Sequence, residues 1–127
     1  MRVSPSSRID LDNPLNSDCP GRALFEAITG RWSLLILLAL KDGPLRFHLL
    51  RDTIEGISER MLSHTLKLLV REGLISRSVE PSIPPKTTYA LTPMGTELAD
   101  VMEGVTRWIA RALPEVQAAR DAFDRNA

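Results

Sequence analysis

The residues of this chain that could do chemistry are concentrated in one segment, where Arg60, Ser63, His64, Lys67 and Arg71 recur every three or four positions. Set at about 100° per residue, Arg60, His64, Lys67 and Arg71 fall within an arc of about 60°, with Ser63 at its edge. Leu62, Leu66, Leu69 and Gly73 lie on the opposite side, so residues 58–72 read as a helix that packs on one face and is cationic on the other. Arg, Lys, His and Ser are the donors that reach phosphates and base edges. On an isolated helix the same face would be ordinary solvated surface.

Other chemistries find no support. There is no Gly-rich phosphate loop, no HExxH and no CxxC, and the two histidines, His48 and His64, fall in different predicted helices. The chain therefore reads as no enzyme, with no cofactor and no metal site. Cys19 is the single cysteine, which excludes an internal disulfide and fits a reducing compartment. The longest apolar stretch, Leu34 to Leu40, falls far short of the ~18 residues of a membrane span, and the first residues have no apolar signal-like region. A cytoplasmic protein without membrane contact is expected. Sixteen basic against sixteen acidic side chains give zero net charge, which taken alone argues against a polyanionic partner.

The elements that must position the cationic face can be read around it. At 127 residues, 43% hydrophobic and 25% charged, the chain is one globular domain with one modest core. Residues 1–18, rich in Ser, Pro, Asn and Asp, read as a flexible arm. Asp18-Cys19-Pro20 opens a short first helix that ends at Thr29-Gly30. A second helix from about Arg31 to Lys41, apolar nearly all round, reads as buried and central, and Asp42-Gly43-Pro44 stops it. Leu45 to Phe47 reads as a short extended piece, followed by a third helix over about 48–53 and a turn at Glu55-Gly56-Ile57.

Ser58 offers an N-cap to the fourth helix and Gly73 a C′ residue. Met61 and Leu68 widen its apolar surface and are expected to pack on the third helix and the hairpin, while Glu59, nearer the core side, suits the helix dipole. Two β-rich runs, 74–79 and 86–91, flank a tip stiffened by Pro81, Pro84 and Pro85, with Arg77 and Lys86 as its basic residues. Thr92-Pro93 starts a long last helix that Pro114 is expected to interrupt, leaving 114–127 as a helical extension of a domain spanning 19–113. The order describes a mainly α protein with a small β-hairpin (α+β), a helix-turn-helix followed by a wing. In that setting the cationic face is the one that enters a major groove, and wing cations contact phosphates or the minor groove.

Several runs carry a family resemblance: Asp18-Cys19-Pro20, Thr29-Gly30-Arg31-Trp32-Ser33-Leu34-Leu35-Ile36-Leu37, Leu45-Arg46-Phe47, Gly56-Ile57-Ser58-Glu59-Arg60-Met61-Leu62, Glu72-Gly73-Leu74-Ile75 and Ile83-Pro84-Pro85-Lys86 through Thr92-Pro93-Met94-Gly95. In this order and spacing, the chain resembles the HxlR-type winged helix-turn-helix regulators of bacteria. The resemblance implies a homodimer on operator DNA, joined through its first and last helices, with the fourth helix in the major groove. His48-Leu49, Thr65, Leu68, Val70 and Arg71 depart from the family's usual residues, so the operator sequence is not inferable. Neither the effector nor the sign of regulation is encoded in a recognisable motif.

The last helix supports pairing on its own terms. Leu98, Val101, Met102, Val105, Trp108 and Ile109, with Ala112 and Leu113, cover an arc of about 140°. With Leu24 of the first helix they form the expected dimer interface; packing of the same face within the chain is the alternative. Cys19 stands at the N-terminal end of the first helix, just before Pro20. Some family members use a cysteine here to sense oxidants or electrophiles, so Cys19 is a redox-sensing candidate, with a structural thiol as the alternative.

The charge is unevenly placed. Residues 31–90 hold nine basic and six acidic side chains, residues 1–30 three and four, and residues 91–127 four and six. The positive excess coincides with the helix-turn-helix and wing, so zero net charge does not exclude DNA; it predicts modest nonspecific affinity concentrated on one face.

Overall fold

The computed structural model describes residues 13–127. Most of the expected flexible arm lies outside the described residues. Its last part, residues 13–18, forms turns in which Asn13 Oδ1 accepts from the Leu15 amide (3.1 Å) and Asn16 Oδ1 from the Asp18 amide (2.9 Å). These are the local side-chain bonds that make Asn a turn residue.

Helix α1 (Gly21–Ile28) follows Pro20, and α2 (Ser33–Ala39) follows the Thr29-Gly30 break. The Ser33 hydroxyl, buried, donates to the Ala27 carbonyl and ties the start of α2 to the end of α1. α2 is shorter than the expected 31–41, its flanks being turns, and Leu35 is exposed while Ile36, Leu37 and Leu40 are buried. The helix is central, with one side left open.

β1 (Leu45–Arg46) leads into α3 (Phe47–Thr53), and Gly56, at φ +90°, takes the left-handed conformation that lets the chain turn into α4 (Glu59–Arg71). Ser58 caps α4 by accepting the Met61 amide at 3.1 Å. The other end closes as a Schellman motif: with Gly73 at φ +80°, its amide bonds the Val70 carbonyl and the Leu74 amide bonds the Leu69 carbonyl, both at 3.0 Å. Leu62, Leu66 and Leu69 are fully buried and form one core with Ile36, Leu37, Leu50 and Tyr89.

β2 (Ile75–Glu80) and β3 (Lys86–Leu91) pair antiparallel, and β1 adds to the other edge of β3, giving a three-stranded sheet in the order β1-β3-β2. The register runs Ile75↔Leu91, Arg77↔Tyr89, Glu80↔Lys86 and, across the other edge, Leu45↔Tyr89 and Arg46↔Thr88. The architecture is the mainly α winged helix-turn-helix expected, with a third strand supplied by the extended piece before α3.

α5 (Pro93–Asn126) is one helix of 34 residues that continues through Pro114. Proline removes one intrahelical bond, here to the carbonyl of Ala110. Both residues are exposed, so water can satisfy that carbonyl and the helix need not end.

The start of α5 is fastened to the end of α4. Thr92 Oγ1 accepts the Gly95 amide (3.0 Å) and donates to the Gly73 carbonyl (2.7 Å), while the Thr92 amide donates to the Leu74 carbonyl (3.1 Å). Gly95 is buried against Leu74, and a Cβ there would overlap the Leu74 carbonyl oxygen and stand 2.9 Å from its carbon. Farther along, Lys41 bridges Asp100 and Glu103 at 2.7 Å each, and both carboxylates hold its ammonium pKa above the usual lysine range, Asp100 most. Gly95→Ala is therefore expected to lower stability by about 1–3 kcal/mol, the range for overpacking against unyielding atoms. Gly104→Ala, on the same helix where the nearest atom would be 3.8 Å away, should be neutral or stabilising. Chemical denaturation of both variants checks the pair, and equal effects would contradict the backbone clash.

Candidate nucleic-acid interface

The sequence wheel of α4 is matched by burial. Arg60, His64, Lys67 and Arg71 are exposed, Ser63 is half-buried, and the leucines opposite are inside. Among the described residues, neither Arg60 nor Lys67 has an acidic side chain within ion-pair distance, whereas Arg71 bonds Glu72 at 3.0 Å while keeping most of its side chain in solvent. Thr65, by contrast, is buried and turns its hydroxyl back to the Met61 carbonyl (2.8 Å).

Two expectations about the first turn need revision. Met61 remains 40% exposed and so is not packed away, and Leu68 is half-buried. Glu59 is exposed rather than core-facing and reaches back to Arg51 at 2.7 Å, with Asp52 at 3.3 Å completing a small cluster. Glu59 first and Asp52 second raise the Arg51 pKa. An exposed pair of this kind contributes little to stability. It links α3 to α4 across the turn and neutralises a cation beside the basic face.

The strand register decides where the wing cations point. Residues opposite each other on paired strands share a face. Arg77, opposite Tyr89, is therefore on the side of the sheet that meets α4, and with Ser63, Lys67 and Arg71 it lines a groove of about 500 Å³ floored by Leu66, Val70 and Tyr89. Lys86 lies opposite Glu80, on the other side. There it lines a second groove of about 350 Å³ with Arg46 and His48.

The seven residues predicted to meet DNA are thus divided. Ser63, Lys67, Arg71 and Arg77 converge, Arg60 and His64 continue the same helix face, and Lys86 stands apart. Arg46 and His48 join Lys86 only because β1 pairs with β3. The single sequence signal for that was the short Leu45-Arg46-Phe47 run.

A separate apolar surface runs along α1 and α5. Val101 is 64% exposed and Trp108 53%, with Leu24, Phe25, Val105 and Ile109 also exposed and Leu98 and Met102 half-buried. A groove of about 420 Å³ between the two helices is walled by Leu24, Ile28, Leu74, Met94, Leu98 and Val101, with Glu72 and Glu97 also lining it. Packing within the chain covers only the side of α5 that carries its two buried residues, Gly95 and Ala99.

Cys19 is 4% exposed, and its sulfur accepts the Gly21 amide at 3.3 Å at the start of α1. It borders a smaller groove of about 230 Å³ with Pro14, Leu24, Phe25 and Ile28. Among the described residues, no three His, Cys, Asp or Glu side chains converge as metal ligands, and no helix is long and apolar enough to cross a membrane.

This geometry can be set beside known proteins. Residues 27–117 match the model of the family described as HxlR-like helix-turn-helix. The HTH-type transcriptional regulator YtfH of Escherichia coli is 39% identical over 120 residues, covering 94% of this chain and 95% of that protein. A YtfH regulator structure from Salmonella typhimurium superposes with a TM-score of 0.79 at 39% identity, over 84% of this chain and 96% of that one. The diamide-treated form of YodB from Bacillus subtilis superposes with a TM-score of 0.63 at 37% identity, over 73% and 93%. With the fold and the sequence match in agreement, the chain belongs to the HxlR-like helix-turn-helix family and is a transcriptional regulator, not an enzyme.

Proposed function

We propose that the protein binds double-stranded operator DNA as a homodimer, with α4 in the major groove and the β2–β3 hairpin as wing. The observation that carries this reading is the α4 face on which Arg60, His64 and Lys67 point outward, opposite the buried leucines, and which continues into Arg77 across the α4–sheet groove. Lys67, Arg71 and Arg77 supply phosphate and base-edge donors, Ser63 and His64 supply shorter-reach ones, and the exposed Met61 offers an apolar contact of the kind a thymine methyl accepts. Lys86, on the outer face of the wing, meets a different stretch of backbone from Arg77.

The apolar face of α1 and α5 is the dimer surface, through Leu24, Leu98, Val101, Met102, Val105, Trp108 and Ile109. A solitary protomer would leave Val101, Val105, Trp108 and Ile109 exposed along one helix, the kind of apolar surface that marks an interaction site. A two-fold dimer places its two α4 helices on half-sites about one helical turn apart, so the operator is pseudo-palindromic. The protein acts in the cytoplasm, where its DNA is.

A second reading concerns regulation through Cys19. The relative YodB was crystallised after diamide treatment, and here the thiol sits at the root of α1, beside Leu24 and Phe25 of the dimer surface. Two Cys19 thiols, one per protomer, would form a disulfide while diamide takes up their two hydrogens and becomes a hydrazine; an electrophilic quinone would add to one thiol. Because Cys19 is buried, either product must displace the 13–18 turn or α1, and that motion would reach the dimer surface.

Lys67→Ala and Arg71→Ala should each weaken operator binding by roughly 5- to 100-fold with the dimer intact, and wild-type affinity should fall by orders of magnitude between about 50 and 200 mM salt. Gel shift and fluorescence anisotropy read both, and undiminished binding by the two variants would refute the face. Trp108→Glu or Val105→Glu should give monomers by light scattering; a persisting dimer would place the interface elsewhere. Cys19→Ser should abolish any loss of operator binding caused by diamide or a quinone, and an unchanged response would remove Cys19 from regulation.

A further inference from the structure

The groove between α4 and the sheet has a lining that contact with a DNA backbone does not explain. Its floor is apolar, with Leu66 buried and Val70 half-buried on α4 and Tyr89 supplied by β3. A sugar-phosphate backbone resting on the rim brings no apolar group to cover that floor.

Two hydroxyls beside the floor, those of Ser63 and Tyr89, have no hydrogen-bond partner among the described residues. Ser63, half-buried, does not turn back to the carbonyl four residues earlier as Thr65 does. Tyr89 is only 8% exposed. Among the described residues no fully enclosed side-chain nitrogen or oxygen lacks a partner, so the Tyr89 hydroxyl reaches the surface, at the groove its side chain lines. A nearly buried donor of this kind is costly to leave unmet, and water or a ligand must satisfy it.

Around the rim stand Lys67 and Arg77, which have no acidic partner among the described residues, and Arg71, bonded to Glu72 through Nη1. No carboxylate lines the groove, and each of its polar side chains can donate. An occupant must therefore bring the acceptors and an apolar body. The volume of about 500 Å³ is that of a small-molecule site.

Resting on the operator-binding reading, we propose that this groove is also a regulatory site for a small amphiphilic anion, a carboxylate on an aryl or branched-alkyl body, which competes with DNA. The carboxylate accepts from the rim cations and from the Tyr89 and Ser63 hydroxyls, while the body covers Leu66 and Val70. The same cations are then engaged where phosphates would bind, so ligand and duplex exclude each other. The apolar groove between α1 and α5 does not suit such a ligand, because Glu72 and Glu97 line it.

The test is calorimetry on the wild-type chain with three probes: 2-naphthoate, the uncharged 2-naphthamide, and acetate. 2-Naphthoate should bind with a dissociation constant of about 1 mM or lower, and the other two roughly tenfold more weakly, since one lacks the charge and the other the body. Arg77→Gln and Tyr89→Phe, the latter keeping the ring in the core, should each weaken 2-naphthoate by about fivefold or more in the absence of DNA. Fluorescence anisotropy then follows an operator that the protein has selected from random duplexes. At about ten times its own dissociation constant, 2-naphthoate should raise the apparent operator dissociation constant about tenfold, and further in proportion to its concentration. Equal affinity for 2-naphthamide, or binding indifferent to both substitutions, would overturn the anion site and leave the operator reading standing. The absence of 2-naphthoate binding at several times that concentration would do the same. A ternary complex of 2-naphthoate, protein and operator would overturn the competition. A chain that takes 2-naphthoate as expected but selects no duplex would uphold the anion site and overturn the operator reading.

Discussion

The close approach of Gly95 to the Leu74 carbonyl, with the hydrogen bonds of Thr92 around it, holds three functional elements at one point. Gly73 and Leu74 are at once the C-cap of α4 and the entry to β2, and Thr92 is the N-cap of α5. The cationic helix, the wing and the long apolar helix therefore cannot change their mutual angles without breaking this joint. For a two-fold dimer that reads DNA, the angle between α5 and α4 sets the separation of the two α4 helices. A buried glycine and one threonine hydroxyl thus carry a geometric constraint that no residue on the cationic face could supply.

Charge is arranged with the same economy. Several cations are consumed in exposed pairs: Lys41 by Asp100 and Glu103, Arg51 by Glu59 and Asp52, Arg22 by Glu26. These pairs sit between elements or along α1. What stays unpaired on α4, Arg60 and Lys67, faces away from the core. Zero net charge is then compatible with a local positive field, since among the described residues Arg71, bonded to Glu72, is the one groove cation with an acidic partner. Cys19 belongs to a different part of the molecule, under the 13–18 turn and next to the apolar surface, so chemistry there would act through α1 and not through the cationic face.

Much of the fold was legible in the sequence, and the reason is the same in each case. The α4 wheel, the Ser58 cap, the Gly73 stop and the Thr92-Pro93 start depend on residues within a turn or two of one another. Helical periodicity and capping are local physics, so a single sequence displays them. The division of DNA-facing candidates was not legible. Arg77 and Lys86 looked equivalent as wing cations, and which face each takes depends on a cross-strand register that a one-residue slip would invert.

The sequence by itself determined the order of elements, the amphipathic sides of α4 and α5, and the family. Tertiary structure decided that β1 completes the sheet and brings Arg46 and His48 to Lys86, that Met61 and Leu35 stay exposed, and that Cys19 is buried. It also carried α5 through Pro114, where Ala110 and Pro114 are both exposed. Each of these turns on contacts between residues far apart in the chain, or on the solvent a backbone group meets once the rest has packed, and neither is written in the neighbouring residues.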